Sequence, residues 1–123
     1  CIVGRPQAGG NIATRYFTPQ LGHASMAVSG GCCLAAAALV PGSVAQRVAH
    51  GVPSLGGGFA DVEVGIENPA GILDATVIAR MAAGLPEIRS AAYRRSAQVL
   101  LRGHVPLYRA SAALVAAVME RVV

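Results

Sequence analysis

His23, the run Ser29-Gly30-Gly31, the adjacent thiols Cys32 and Cys33, and the pair Arg94-Arg95 are the residues whose types and spacing could do chemistry. Ser29-Gly30-Gly31 stands directly before an Ala-rich apolar run, the pattern of a helix start with Ser29 as N-cap. A helix start offers free backbone N–H groups and the positive end of the helix dipole, which suits a carboxylate. Glycines there let a ligand come close to the backbone. His23, a few residues upstream, is either an ordinary loop histidine or a donor to the same anion.

The other candidates have plainer readings. Cys32 and Cys33 fall inside the apolar run, where free cysteine behaves as a small hydrophobe; a thiol enzyme built on them is a third-ranked alternative. Arg94 and Arg95 alternate across an expected strand, so one would face a cleft, although a solvated strand face is the commoner fate. His50 and His104 read as surface or structural residues.

Composition narrows the classes. A chain of 123 residues is one domain's worth. Its hydrophobic fraction is 54% and its charged fraction 13%, so it must bury apolar surface in a core, against a partner, or both. The net charge of +4 comes from arginine alone among the bases. The arginines are scattered and the aromatics few, which argues against nucleic acid. Cys1, Cys32 and Cys33 form neither a CxxC nor a metal-ligand spacing, so no metal is expected and reduced thiols in a cytoplasmic protein are. The apolar run ends at Pro41-Gly42, short of the roughly 20 residues a membrane span needs. No signal peptide is visible, and the chain starts at Cys1 as though cut from something longer.

The elements that must position these groups follow from pattern. Residues 1–10 read as a linker or truncated start, and 11–123 as a single domain. Residues 11–17 alternate as a short strand. The run from Cys32 to Val40 has no polar side, which predicts a helix buried all round and wrapped by sheet. Val44 to His50 is a weak strand candidate. Phe59 to Glu67 is a strong one, with Ala60, Val62, Val64 and Ile66 inward and Asp61, Glu63 and Glu67 outward. Asn68-Pro69-Ala70-Gly71 is a turn leading to a strand over 72–79. Residues 81–87 read as a short helical turn, 88–101 as a longer strand, and 110–123 as a closing helix. Leu114, Val115, Val118, Met119 and Val122 form that helix's apolar stripe, with Glu120 and Arg121 facing outward. The fold class expected is therefore α/β (α+β).

The block Gly22-His23-Ala24-Ser25-Met26-Ala27-Val28-Ser29-Gly30-Gly31-Cys32-Cys33-Leu34-Ala35-Ala36-Ala37, followed by Leu39-Val40-Pro41-Gly42-Ser43-Val44, resembles the second-half signature of PrpF-like isomerases. Residues from Arg94 to Pro106 resemble the same family's closing strand, and the resemblance runs in consistent order over roughly residues 11 to 106. It implies one half of a diaminopimelate-epimerase-like fold, a mixed or antiparallel sheet wrapped around a central helix, with the active site in a cleft between two halves. It implies proton or double-bond shifts on small di- or tricarboxylates of the aconitate type, without cofactor or metal. On this reading His23, Ser29, Gly30 and Gly31 bind substrate. The epimerases of the fold carry a catalytic cysteine just before the glycine turn, where this chain has Ala27. In the PrpF-like branch the acid and base belong to the N-terminal half. The resemblance thus implies a substrate-binding part, inactive alone, whose partner is the missing half or a second copy. The alternative is a non-catalytic fragment or self-associating structural module.

Overall fold

The computed structural model describes residues 1–95, 97–104, 106 and 108–120. Four strands open the chain: β1 (Ile2–Gly4), β2 (Ile12–Arg15), β3 (Phe17–Thr18) and β4 (Leu21–Gly22). Two helices follow, α1 (Val28–Ala38) and α2 (Val44–Val48). Then come three longer strands, β5 (Ala60–Asn68), β6 (Gly71–Ala82) and β7 (Leu85–Tyr93), and a last helix, α3 (Ala112–Met119).

The chain is α+β, built on a mixed five-stranded sheet of order β1-β2-β5-β6-β7; β3 and β4 form a separate small hairpin. The β2–β5 pairing is parallel and the others antiparallel. Parallel neighbours need a long crossover, and the stretch from β3 through α2 supplies it. Alternation on β5 follows the sequence from Val62 on: Val62, Val64 and Ile66 are buried while Asp61 and Glu63 are exposed, but Ala60, expected inward, is exposed at the strand's start. On β6, Ala75, Val77 and Ala79 face the same side. Against that face α1 buries Gly31, Leu34, Ala35 and Ala38. The alanines on both surfaces bring helix and sheet close together.

Several expectations are corrected. Ile2–Gly4, read within a linker, is a strand paired antiparallel with β2. Helix α1 starts two residues earlier than expected: its N-cap is Ala27 rather than Ser29, no side chain caps it, and Ser29 lies inside the first turn. Nor is α1 surrounded. Val28 is 44% exposed and Cys33 is exposed, so the sheet covers one face only. Val44–Val48 is helix rather than strand, because the Ser43 hydroxyl oxygen accepts from Gln46 N at 3.0 Å while donating to Ala37 O at 2.7 Å. That double role caps α2 and ties it to α1.

Residues 81–87 are no helical turn. Met81 and Ala82 end β6, Leu85 begins β7, and Ala83 and Gly84 (φ of 50° and 80°) make a tight hairpin turn. Two consecutive positive φ angles match the twist of flanking strands. Pro86 lies on the sheet-edge strand β7, where a missing N–H is tolerated. The strand read to Leu101 ends at Tyr93. The part of that reading at Ser96, and Val105 in the closing block, lie outside the described residues. Helix α3 carries the expected stripe of Leu114, Val115, Val118 and Met119, all exposed. Arg121, Val122 and Val123 lie outside the described residues. Among the described residues no helix is long and apolar enough to cross a membrane.

Glu67 fixes the loop between β1 and β2. Its carboxylate accepts the main-chain N–H groups of Gln7 (2.8 Å), Ala8 (2.6 Å) and Gly10 (2.9 Å). The Gln7 bond leads in pulling its pKa below the ordinary 4.5; partial desolvation opposes, and the Gly10 and Ala8 bonds add to the lowering. A depressed folded-state pKa gives stability that is present above the unfolded value and lost as pH falls through the folded one. Acid unfolding of the wild type will therefore include a Glu67 component below about pH 4.5. Glu67→Gln should remove that component and flatten the pH dependence of the urea midpoint between neutrality and pH 3. An unchanged acid limb would show that these three bonds do not hold the loop.

Candidate functional site

The site is assembled where the β2 end, the β3–β4 hairpin, the start of α1 and the end of β7 meet. Tyr16 follows β2 directly, and its carbonyl accepts from His23 N at 2.8 Å, extending the β3–β4 hairpin to His23. The two rings meet edge to face at 6.0 Å. Ser25 N donates to His23 Nδ1 at 3.0 Å. An imidazole that accepts at Nδ1 carries its proton, when neutral, on Nε2, so His23 is left with a donor on its far side.

Gly31 N makes the first intrahelical bond of α1, to Ala27 O at 2.9 Å. The N–H groups of Val28, Ser29 and Gly30 precede that ladder, and Ala27 has no side chain to cap them. The two glycines serve a purpose different from the one expected. A Cβ on Gly30 would stand 2.5 Å from the Tyr16 ring, and a Cβ on Gly31 would collide with the ring of Tyr93. What approaches the backbone here is a pair of tyrosines rather than open space for a ligand.

Beside Tyr93 lies a cavity of about 340 Å³, lined by His23, Ser25 and Met26 from one side and by Leu73, Tyr93, Arg94 and Arg95 from the other. Its volume is at the small end of the range for ligand pockets. Among the described residues no carboxylate lines it. Arg94 is tethered to Glu63 at 3.1 Å across two exposed side chains, a pair worth less than about 1 kcal/mol. Arg95 has no carboxylate partner among the described residues. The Tyr93 hydroxyl is buried and finds no hydrogen-bond partner among them. Burial raises the phenol's pKa, Arg95 pulls it down, and Cys32 adds a smaller upward push.

Of the residues expected to bind substrate, His23 lines the cavity. Ser29, Gly30 and Gly31 do not; Gly30 packs on the Tyr16 ring and Gly31 on the Tyr93 ring. All three cysteines are free: Cys32 is half-buried and Cys33 exposed. His50 is held elsewhere by its backbone, and His104 is exposed. Among the described residues no three His, Cys, Asp or Glu side chains converge on one point. Sequence reasoning missed Tyr16 and Tyr93. The signal available was the glycine pair itself, since consecutive glycines in a helix's first turn mark close approach of something bulky.

Comparison with known proteins places these elements in context. The profile of a family described as "PrpF protein" matches residues 3–108. The chain is 35% identical over 109 residues to the 4-oxalomesaconate tautomerase of Pseudomonas putida, a match covering 89% of this chain and 28% of that protein. It is 35% identical over 104 residues to the (4E)-oxalomesaconate Delta-isomerase of a Novosphingobium species, covering 85% of this chain and 27% of that protein. The chain thus spans little more than a quarter of the length of these relatives.

Proposed function

The chain belongs to the PrpF family, and from that premise we propose that it is the carboxylate-binding, C-terminal part of an isomerase that moves a proton or double bond on a small di- or tricarboxylate. The observation that carries this reading is the cavity in which His23 and Arg95 present donors with no protein carboxylate among its lining residues, next to an uncapped helix start. The names of the relatives support an oxalomesaconate-type substrate; an aconitate-type tricarboxylate offers the same carboxylates. The site binds and polarises. Arg95 holds a carboxylate by charge-assisted hydrogen bonds, His23 Nε2–H donates to an oxygen beside the reacting carbon, and the positive end of α1 favours the negative charge that builds as the proton leaves.

The acid and base belong, on this reading, to the remaining part of the protein, since Ala27 offers no thiol and the cavity lining holds no carboxylate. We assign the chain, β1 included, to one half of a diaminopimelate-epimerase-like fold. The exposed residues Val28 and Cys33 of α1 and the exposed α3 stripe are surfaces that the other half or a second copy would cover. The free thiols suit a reducing cytoplasm.

Titration of the ¹⁵N-labelled chain with tricarballylate, an unreactive tricarboxylate, tests the reading. Amide shifts should concentrate at His23, Ser25 and Arg95, which line the cavity, and saturate at about 1 mM, equivalent to roughly 4 kcal/mol. Arg95→Gln should weaken binding about tenfold, the value of one charge-assisted bond. Shifts that fail to saturate, or that spare His23 and Arg95, would refute the site.

A further inference from the structure

A second hollow, of about 320 Å³, lies between the loop after β1 and the end of α2, lined by Arg5, Pro6, Arg47, Val48, Ala49 and His50. It shares no residue with the His23 cavity. We propose that this hollow is a second anion site, in which Arg5, Arg47 and His50 together hold a small ligand bearing a phosphate or carboxylate group.

The first argument is charge. Two arginines and a histidine converge there from segments more than 40 residues apart, and no carboxylate is among the described residues that line the hollow. Among the described residues the ion pairs are Arg80–Glu87 and Arg94–Glu63, so neither Arg5 nor Arg47 has an acidic partner. The carboxylate of this region, Glu67, already accepts three main-chain N–H bonds. Converging cations repel, and a bound oxyanion relieves that repulsion while offering acceptors to guanidinium groups that present donors in a fixed fork.

The second argument is construction. The loop carrying Arg5 is held by Glu67 through Gln7, Ala8 and Gly10, and Pro6 stiffens the backbone beside it. Asn11 grips both main-chain groups of His50: His50 N donates to Asn11 O at 2.8 Å, and Asn11 Nδ2 donates to His50 O at 3.0 Å. Arg47 rides on α2, whose start the Ser43 cap fixes. Arg47 alone would be accounted for by the negative end of that helix, but this explains neither Arg5 nor the clamp on His50. A neighbouring hollow of about 300 Å³ shares Ala49 and His50 and is lined by Leu39, Val52, Leu55 and Met81, giving an organic body room beside the anionic group.

The test is titration of the ¹⁵N-labelled chain with sodium phosphate and, separately, with citrate, each against sodium chloride of matched ionic strength. The expected result is saturable shifts at Arg47 and His50 in the millimolar range, weakened about tenfold by Arg5→Gln and by Arg47→Gln and unaffected by Arg95→Gln. Saturation by phosphate alone identifies a phosphate ligand, and saturation by citrate alone a carboxylate. A parallel thermal melt guards against misfolded variants: phosphate should raise the wild-type Tm and leave that of the double Arg5→Gln/Arg47→Gln variant unmoved. Shifts that chloride reproduces, or that both glutamine variants retain, would overturn the proposal.

Discussion

Ile66→Ala will destabilise the chain by about 3–4 kcal/mol, within the range for emptying a buried isoleucine site. Ile66 is fully buried and lies where β5 meets its parallel neighbour β2. It stands opposite Ile12 of β2 on one side and Leu73 of β6 on the other. The β2–β5 ladder is short, pairing Ile12 with Ile66 and Ala13 with Glu67. Asn11 supplements it through two bonds with Gly65, its N–H to the Gly65 carbonyl at 2.6 Å and its Oδ1 from the Gly65 N–H at 2.8 Å. Side-chain packing at Ile12 and Ile66 must therefore carry much of the attachment of β1 and β2, and of Tyr16 beyond them. The neighbouring Ile72 points to the other face and is 43% exposed, so Ile72→Ala should lose less than about 1 kcal/mol. Urea unfolding of the two variants side by side checks this. Equal losses would mean that the core lies on the wrong face of β5.

The inward place of Ile66 is legible in the amino-acid sequence itself, because period-two alternation over 59–67 assigns faces by residue type. The same kind of pattern reading locates α1 and the Asn68–Gly71 turn. It fails where a few local bonds outweigh propensity. Val44–Val48 has β-branched ends, but the Ser43 cap and its tie to Ala37 make a helix of it. The Ala83-Gly84 turn is hidden because alanine is a helix former that rarely takes positive φ. The all-apolar pattern of α1 implies burial on every side, whereas in this chain the sheet covers one side, and no pattern in a sequence says which atoms do the covering. At the candidate site, His23 is singled out by the family-like block from Gly22 to Ala37, and it lines the cavity. Tyr93 is not: it lies 62 residues from Gly31, and only the β7 register brings the two together.

That contact yields a prediction whose sign depends on a second residue. In an isolated helix, Gly→Ala gains about 1 kcal/mol. At position 31 the added methyl meets the Tyr93 ring, with Cδ2 only 3.0 Å away and another ring atom closer still. Overpacking of this kind costs roughly 1–3 kcal/mol, so Gly31→Ala should lower stability by about 1–2 kcal/mol net of the propensity gain. In a Tyr93→Ala background the obstacle is gone, and the same glycine substitution should become neutral or stabilising. Tyr93→Phe keeps the ring and so should keep the penalty, which separates the ring's bulk from its unpartnered hydroxyl. Pushing the ring off α1 also drives it into the cavity that His23 and Arg95 line, so Gly31→Ala should weaken tricarballylate binding about tenfold, the equivalent of ~1.4 kcal/mol. A double-mutant cycle read by thermal unfolding decides the matter: a destabilisation of equal size in the Tyr93→Ala background would show that Tyr93 does not rest on Gly31, and the wall of the proposed carboxylate site would have to be sought elsewhere.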